Sequence, residues 1–137
     1  MYSIDAIIDK FVHDFILKNK RNRALLELKD LKRRPKFTDR FNHCWSLYLD
    51  MRYVKQVDKE DDCYDGIKRL TGFTDYEPCY LISDYRDSDN IIIPFVDAFN
   101  HLYCRGFASI IIGIASGVFF LDTEQIQGRA PKFIGKR

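Results

Sequence analysis

Gly106-Phe107-Ala108-Ser109-Ile110-Ile111-Ile112-Gly113-Ile114-Ala115-Ser116-Gly117-Val118-Phe119-Phe120-Leu121 is a run of sixteen residues without a charge. Its reading decides the fold. A membrane-spanning helix needs about 20 apolar residues, and this run is shorter and broken by three glycines. Three consecutive isoleucines suit a strand buried on both faces better than a helix. Two buried strands, 108–114 and 118–121, are therefore expected, turning at Ala115-Ser116-Gly117. Ser116-Gly117 suits a two-residue hairpin turn, since glycine supplies the positive φ. Gly113-Ile114-Ala115-Ser116-Gly117 is not a nucleophile elbow. The serine stands one place late, and a strand rather than a helix follows.

Outward from this hairpin, Pro78–Ser83 reads as another short buried strand, and Lys132–Ile134 as a last one. Ile91–Pro94 leads into a helix over 95–104, with Phe95, Phe99 and Leu102 inward. A short helix at 62–71 should stop at Gly72, a residue suited to a left-handed cap. At the start, Ser3 caps a helix over 4–19, whose stripe is Ile4, Ile7, Ile8, Phe11, Val12, Phe15 and Ile16. A second helix is expected from Asn22 to Arg34, with Leu25, Leu28 and Leu31 on one face and Pro35 as its stop. Residues 37–56 fit two patterns. Phe41, Cys44, Trp45 and Tyr48 have helical spacing, whereas Trp45, Leu47, Leu49, Met51 and Tyr53 alternate. Thr38-Asp39 is a good helix opening, so a helix from Thr38 to about Asp50 is favoured. The sum is one α+β domain: a helical N-terminal half packed on a small C-terminal sheet, mixed or antiparallel.

The chain has 137 residues, 46% of them hydrophobic, 31% charged and 15% aromatic. Such a length suffices for one domain with a real core, and the composition excludes wholesale disorder. Met1-Tyr2-Ser3-Ile4-Asp5 opens without a basic region running into an apolar one. A cytoplasmic chain without a secretory signal is therefore expected. Cys44, Cys63, Cys79 and Cys104 are widely spaced with no C-x-x-C pair, as in reduced core thiols rather than a disulfide or zinc framework. His13, His43 and His101 make no H-x-x-x-H pair. Asp87-Ser88-Asp89-Asn90 alternates oxygen ligands, but Ile92 and Ala98 stand where a calcium-binding EF-hand requires glycine and glutamate. No glycine-rich nucleotide loop occurs. No catalytic motif is found, and neither metal nor cofactor is expected.

Charge is uneven. The net charge is +2, yet residues 1–57 carry a net +6 and residues 58–89 a net −6. The acidic block holds Asp61, Asp62, Glu77, Asp84, Asp87 and Asp89, interleaved with tyrosines such as Tyr76 and Tyr85. Carboxylates with tyrosines can imitate phosphates and bases, and they steer association with a basic partner. The basic clusters at the two ends of the second helix, including Arg21, Arg23, Arg33 and Arg34, offer the opposite reading: a nucleic-acid grip. Each cluster also fits a solvated surface with pairs such as Arg23–Glu27.

The layout resembles the small cytoplasmic immunity proteins of bacterial toxin–immunity systems, such as those of contact-dependent growth inhibition. The resemblance lies in the charged helical start, Cys79-Tyr80-Leu81-Ile82-Ser83, the acidic loop behind it, and Phe107–Gly113 before a glycine turn. It extends to the closing Arg129-Ala130-Pro131-Lys132-Phe133-Ile134-Gly135. It implies a non-enzymatic inhibitor that binds the toxic domain of a cognate effector, often a nuclease, and it brings no catalytic residues. On that reading the partner-binding residues are Asp84, Tyr85, Asp87, Asp89, Tyr76, Glu77, Asp61 and Asp62. Nucleic acid is a partner only in the alternative.

Overall fold

The computed structural model describes residues 2–123 and 128–137. Its helices are α1 (Ile4–Phe15), α2 (Arg21–Leu28), α3 (Arg34–Cys44), α4 (Tyr64–Thr71) and α5 (Phe95–Leu102). Its strands are β1 (Val54–Gln56), β2 (Pro78–Ser83), β3 (Ile92–Pro94), β4 (Ser109–Gly113), β5 (Phe119–Asp122) and β6 (Lys132–Gly135). The six strands form one sheet in the order β1-β6-β5-β4-β2-β3, with every pairing antiparallel. The chain is thus α+β, as expected.

Helices cover both faces of the sheet. Tyr80, Ile82, Ile110, Ile112, Phe119 and Leu121 pack against α1, α2 and α3. Cys79, Leu81, Ile111 and Phe120 pack against α4 and α5. That arrangement explains the unbroken Ile110-Ile111-Ile112. A strand buried on both faces has no polar side to alternate with. The turn after β4 is longer than the expected two residues. Ile114 N–H bonds back to Pro78 O at 3.1 Å, Gly117 N–H returns to Gly113 O at 2.8 Å, and Gly117 takes φ +73°. Pairing with β2 thus carries residue 114 past the hairpin before the glycine can turn the chain.

The N-terminal half departs most from expectation. Ser3 caps α1 as expected, accepting the Ala6 N–H at 3.2 Å, but the helix ends at Phe15. Ile16 is extended and bridges Leu49, with Leu17 N–H on Tyr48 O at 2.8 Å and Asp50 N–H on Phe15 O at 2.7 Å. This tertiary pairing overrides a stripe that would have run on. The second helix ends at Leu28, and Leu31 is exposed. Pro35 does not stop a helix. It lies in the first turn of α3, where its missing N–H would have had no partner in any case. Residues 45–53 follow neither pattern: 3-10 turns at Trp45–Leu47 and Met51–Tyr53 lead into β1. That strand contributes the N-terminal half's one edge of the sheet, beside β6.

Gly135 marks the tightest packing. A Cβ there would clash with three ring carbons of Phe119, which is held edge-on by Phe15 at 4.7 Å and Phe11 at 5.6 Å. Gly135→Ala is expected to destabilise the chain by about 1–3 kcal/mol, as overpacking does, read as a lower urea midpoint at unchanged slope.

Candidate functional site at the charged end of the sheet

Strand register creates one polar row. Ser83 faces Ser109, Ser109 faces Asp122, and Asp122 faces Lys132. Side-chain alternation aims all four at the α4–α5 face, beside the end of α5. All four residues are buried, in a sheet whose interior is otherwise mostly Ile, Leu and Phe. Burying a lysine and an aspartate this deeply is expensive unless they are paired and hydrogen-bonded, so the row requires explanation.

The pairing is nearly complete. Lys132 Nζ donates to Asp62 Oδ2 at 3.1 Å and to Ala130 O at 3.3 Å, and stands 3.8 Å from Asp122 Oδ1. Arg129 donates to Asp62 Oδ2 at 2.8 Å, and the Tyr103 hydroxyl donates to Asp62 Oδ1. Burial opposes ionisation of Asp62, but the bonds from Tyr103, Arg129 and Lys132 outweigh it and hold the carboxyl below its ordinary range. Asp122 goes the other way. Its Oδ2 accepts the Cys104 N–H at 2.7 Å, yet among the described residues Oδ1 has no hydrogen-bond donor. Burial therefore pushes its carboxyl up to about 6. Cys104, immediately behind α5, sits at φ +57°, a left-handed backbone uncommon outside glycine. Asp62, Cys104, Gly106, Asp122, Thr123, Arg129, Ala130 and Lys132 enclose a pocket of about 270 Å³.

The same end of the sheet carries a second polar cluster, where β2 gives way to its loop. Arg34 donates to both oxygens of Asp89, from Nε at 2.8 Å and Nη2 at 2.7 Å. Its Nη1 donates to Leu28 O and to the Tyr80 hydroxyl, each at 2.8 Å. The Tyr80 hydroxyl in turn donates to Asn90 Oδ1 at 2.7 Å. Asp89 Oδ1 also accepts the Ser83 N–H at 2.9 Å, and Thr38 donates to Asp84 at 3.0 Å. Together these bonds fasten the 84–90 loop to α3. Between them lies an open groove of about 490 Å³, lined by Leu31, Arg34, Pro35, Thr38, Ser83, Asp84, Arg86, Asp89 and Asn90.

The residues singled out in the sequence are therefore redistributed. Arg34 and Asp89, placed on two rival surfaces by their charge, neutralise each other, and the Arg34 side chain is only 2% exposed. Arg21 turns its Nε to Ile16 O at 3.0 Å. Arg23 and Arg33 remain exposed beside Glu27 and Asp30, at 3.7 and 3.5 Å. Asp62 is buried in the Lys132 network, and Asp61 pairs with Arg69. Tyr76 and Glu77 precede β2 while Asp84, Tyr85 and Asp87 follow it. A six-residue strand, about 20 Å long, separates the two groups, so the acidic block is not one surface. Asp84, Tyr85 and Asp87 are exposed together, and Tyr85 lies 6.0 Å from the Phe107 ring.

Sequence reasoning passed over Asp122, Lys132, Tyr103 and Cys104. The available signal was a lysine heading the apolar strand Lys132–Gly135 and an aspartate closing Phe119–Asp122. Of the cysteines, Cys79 is buried and its thiol is pushed up to about 12 by burial, while Cys63 caps α4. Among the described residues, no three His, Cys, Asp or Glu are grouped to hold a metal ion, and no helix is long and apolar enough to cross a membrane. Comparison with known protein families, curated proteins and solved structures finds no match to this chain.

Proposed function

We propose that this chain is a binding protein that acts in the cytoplasm as an immunity protein. In this role it neutralises a cognate protein toxin domain, a nuclease, by covering its basic cleft. The observation that carries the reading is the braced loop after β2. Asp84, Tyr85 and Asp87 project from a backbone fixed by the Arg34–Asp89 and Thr38–Asp84 bonds. A loop ordered before binding loses little entropy on binding. Its carboxylates steer a basic partner, and the exposed Tyr85, near the Phe107 ring, supplies apolar contact area. The nucleic-acid alternative loses its best residues, since Arg34 is buried and Arg21 is turned to the backbone.

The test begins by capturing a basic protein from source cells and measuring its association with the pure chain. Asp87→Lys is expected to slow association several-fold at low salt, with the melting temperature unchanged; Asp84 is kept because it accepts the Thr38 bond that holds the loop. Asp89 is left intact because it braces the loop. Gel retardation of RNA or DNA at physiological salt, abolished only by Arg23→Ala/Arg33→Ala, would sink this proposal.

A further inference from the structure

The pocket beside Asp122 has unspent capacity of one kind. Asp62 has both oxygens engaged by Tyr103, Arg129 and Lys132. Lys132 is committed to Asp62 and Ala130. Among the described residues Asp122 Oδ1 has no hydrogen-bond donor, although its side chain is only 4% exposed. Lys132 Nζ stands 3.8 Å away, too far to donate, so among the described residues this buried carboxylate oxygen has a cation nearby but no hydrogen-bond donor. At about 270 Å³ the pocket falls just below the usual range for whole small-molecule ligands and has room for one inserted side chain. The left-handed backbone of Cys104 at its rim is strain of the kind concentrated at ligand sites.

We propose that this pocket receives the cationic end of a lysine or arginine side chain from a protein partner, with Asp122 Oδ1 as its acceptor. The identity of the donor rests on the binding function above; the recognition chemistry does not. A cation would supply the missing donor and strengthen the offset that Lys132 gives from 3.8 Å, and Arg129, whose side chain is partly exposed, is a rim cation among the described residues that competes with it.

The probe is n-butylammonium chloride, with methylguanidinium as its planar counterpart, titrated into the full chain at pH 7.5 and fixed ionic strength. Backbone amide resonances are the readout. Shifts at Cys104, Gly106 and Thr123 are expected to saturate in the millimolar range, while n-butanol and sodium acetate leave them in place. Asp122→Asn keeps the side-chain size and the acceptor for the Cys104 N–H, and should weaken binding at least tenfold. Arg129→Ala, which removes the competing cation, should strengthen it. The proposal fails if neither cation shifts these resonances by 100 mM (about the weakest affinity one buried contact would give), if acetate or butanol does so equally, or if both variants bind as the native chain does. None of these outcomes depends on finding a toxin, so loss of the immunity reading and loss of the pocket are separate results.

Discussion

Arg34→Met is expected to lower stability by about 3 kcal/mol, roughly a 10 °C fall in melting temperature for a chain of this size. The substitution keeps most of the aliphatic stem and removes the guanidinium, so the loss is electrostatic and polar rather than a cavity. It strands the Asp89 carboxylate, whose side chain is 17% exposed, and leaves Leu28 O without the donor it has now. Stranding one member of a mostly buried ion pair is the damaging step. Asp89's partial contact with water sets the effect at the lower end of that range. Burial works against the Arg34 charge, but Asp89 and Tyr80 outweigh it and hold the guanidinium above its ordinary value. The same Arg-to-Met change at Arg23 or Arg33, exposed and paired only across the surface, should move stability by no more than about 0.5 kcal/mol. Chemical denaturation of the three variants side by side measures the contrast. Equal small effects at all three positions would mean that Arg34 does not brace the loop.

That contrast also shows where sequence reasoning reached its limit. Local patterns were legible where local physics decides. Pro78–Ser83 appears with its expected bounds, and α4 ends where Gly72 takes φ +77°. The apolar hairpin forms because no charge interrupts it. Errors gathered where a distant partner decides. The stripe of α1 gives no sign that Ile16 will leave the helix to bridge Leu49. Pro35 looks the same whether it closes one helix or opens the next. The charge blocks misled for the same reason: Arg34 and Asp89 lie 55 positions apart and meet only in the folded chain. The buried ion network draws Asp62, Asp122 and Lys132 from three separate stretches. One clue was local. A lysine or aspartate within or closing an apolar strand has no solvent face once both sheet faces are covered, and in such a position it must find a partner.

Within that network, two substitutions are expected to act in opposite directions at pH 7. Lys132→Met removes the cation that serves Asp62 and stands nearest Asp122, leaving two buried carboxylates with one arginine and a tyrosine. A loss of about 3–5 kcal/mol follows, as for a broken buried ion pair. Asp122→Asn removes a charge that the fold tolerates poorly. Its carboxyl titrates at about 6 in the folded chain against an ordinary value of 3.8, so the folded state holds this proton more tightly than the unfolded state does. Stability from this group is therefore greatest below pH 4 and is lost as pH rises toward 6, after which the loss is constant. About two pH units of displacement correspond to roughly 3 kcal/mol. Asp122→Asn should accordingly be more stable than the native chain at pH 7 by an amount of that order, with the gain shrinking to nearly nothing at pH 4. The difference between the two chains isolates this group from Asp14, Asp50, Asp62 and Asp75. Those carboxyls lie below their ordinary range and contribute the opposite slope to both chains. Urea unfolding at pH 4, 5, 6 and 7 provides the measurement. A flat difference across that range would show that Asp122 is ordinarily solvated. A difference opening between pH 4 and 6 would show a carboxylate that lowers stability at neutral pH, as expected of a group kept to meet a cation.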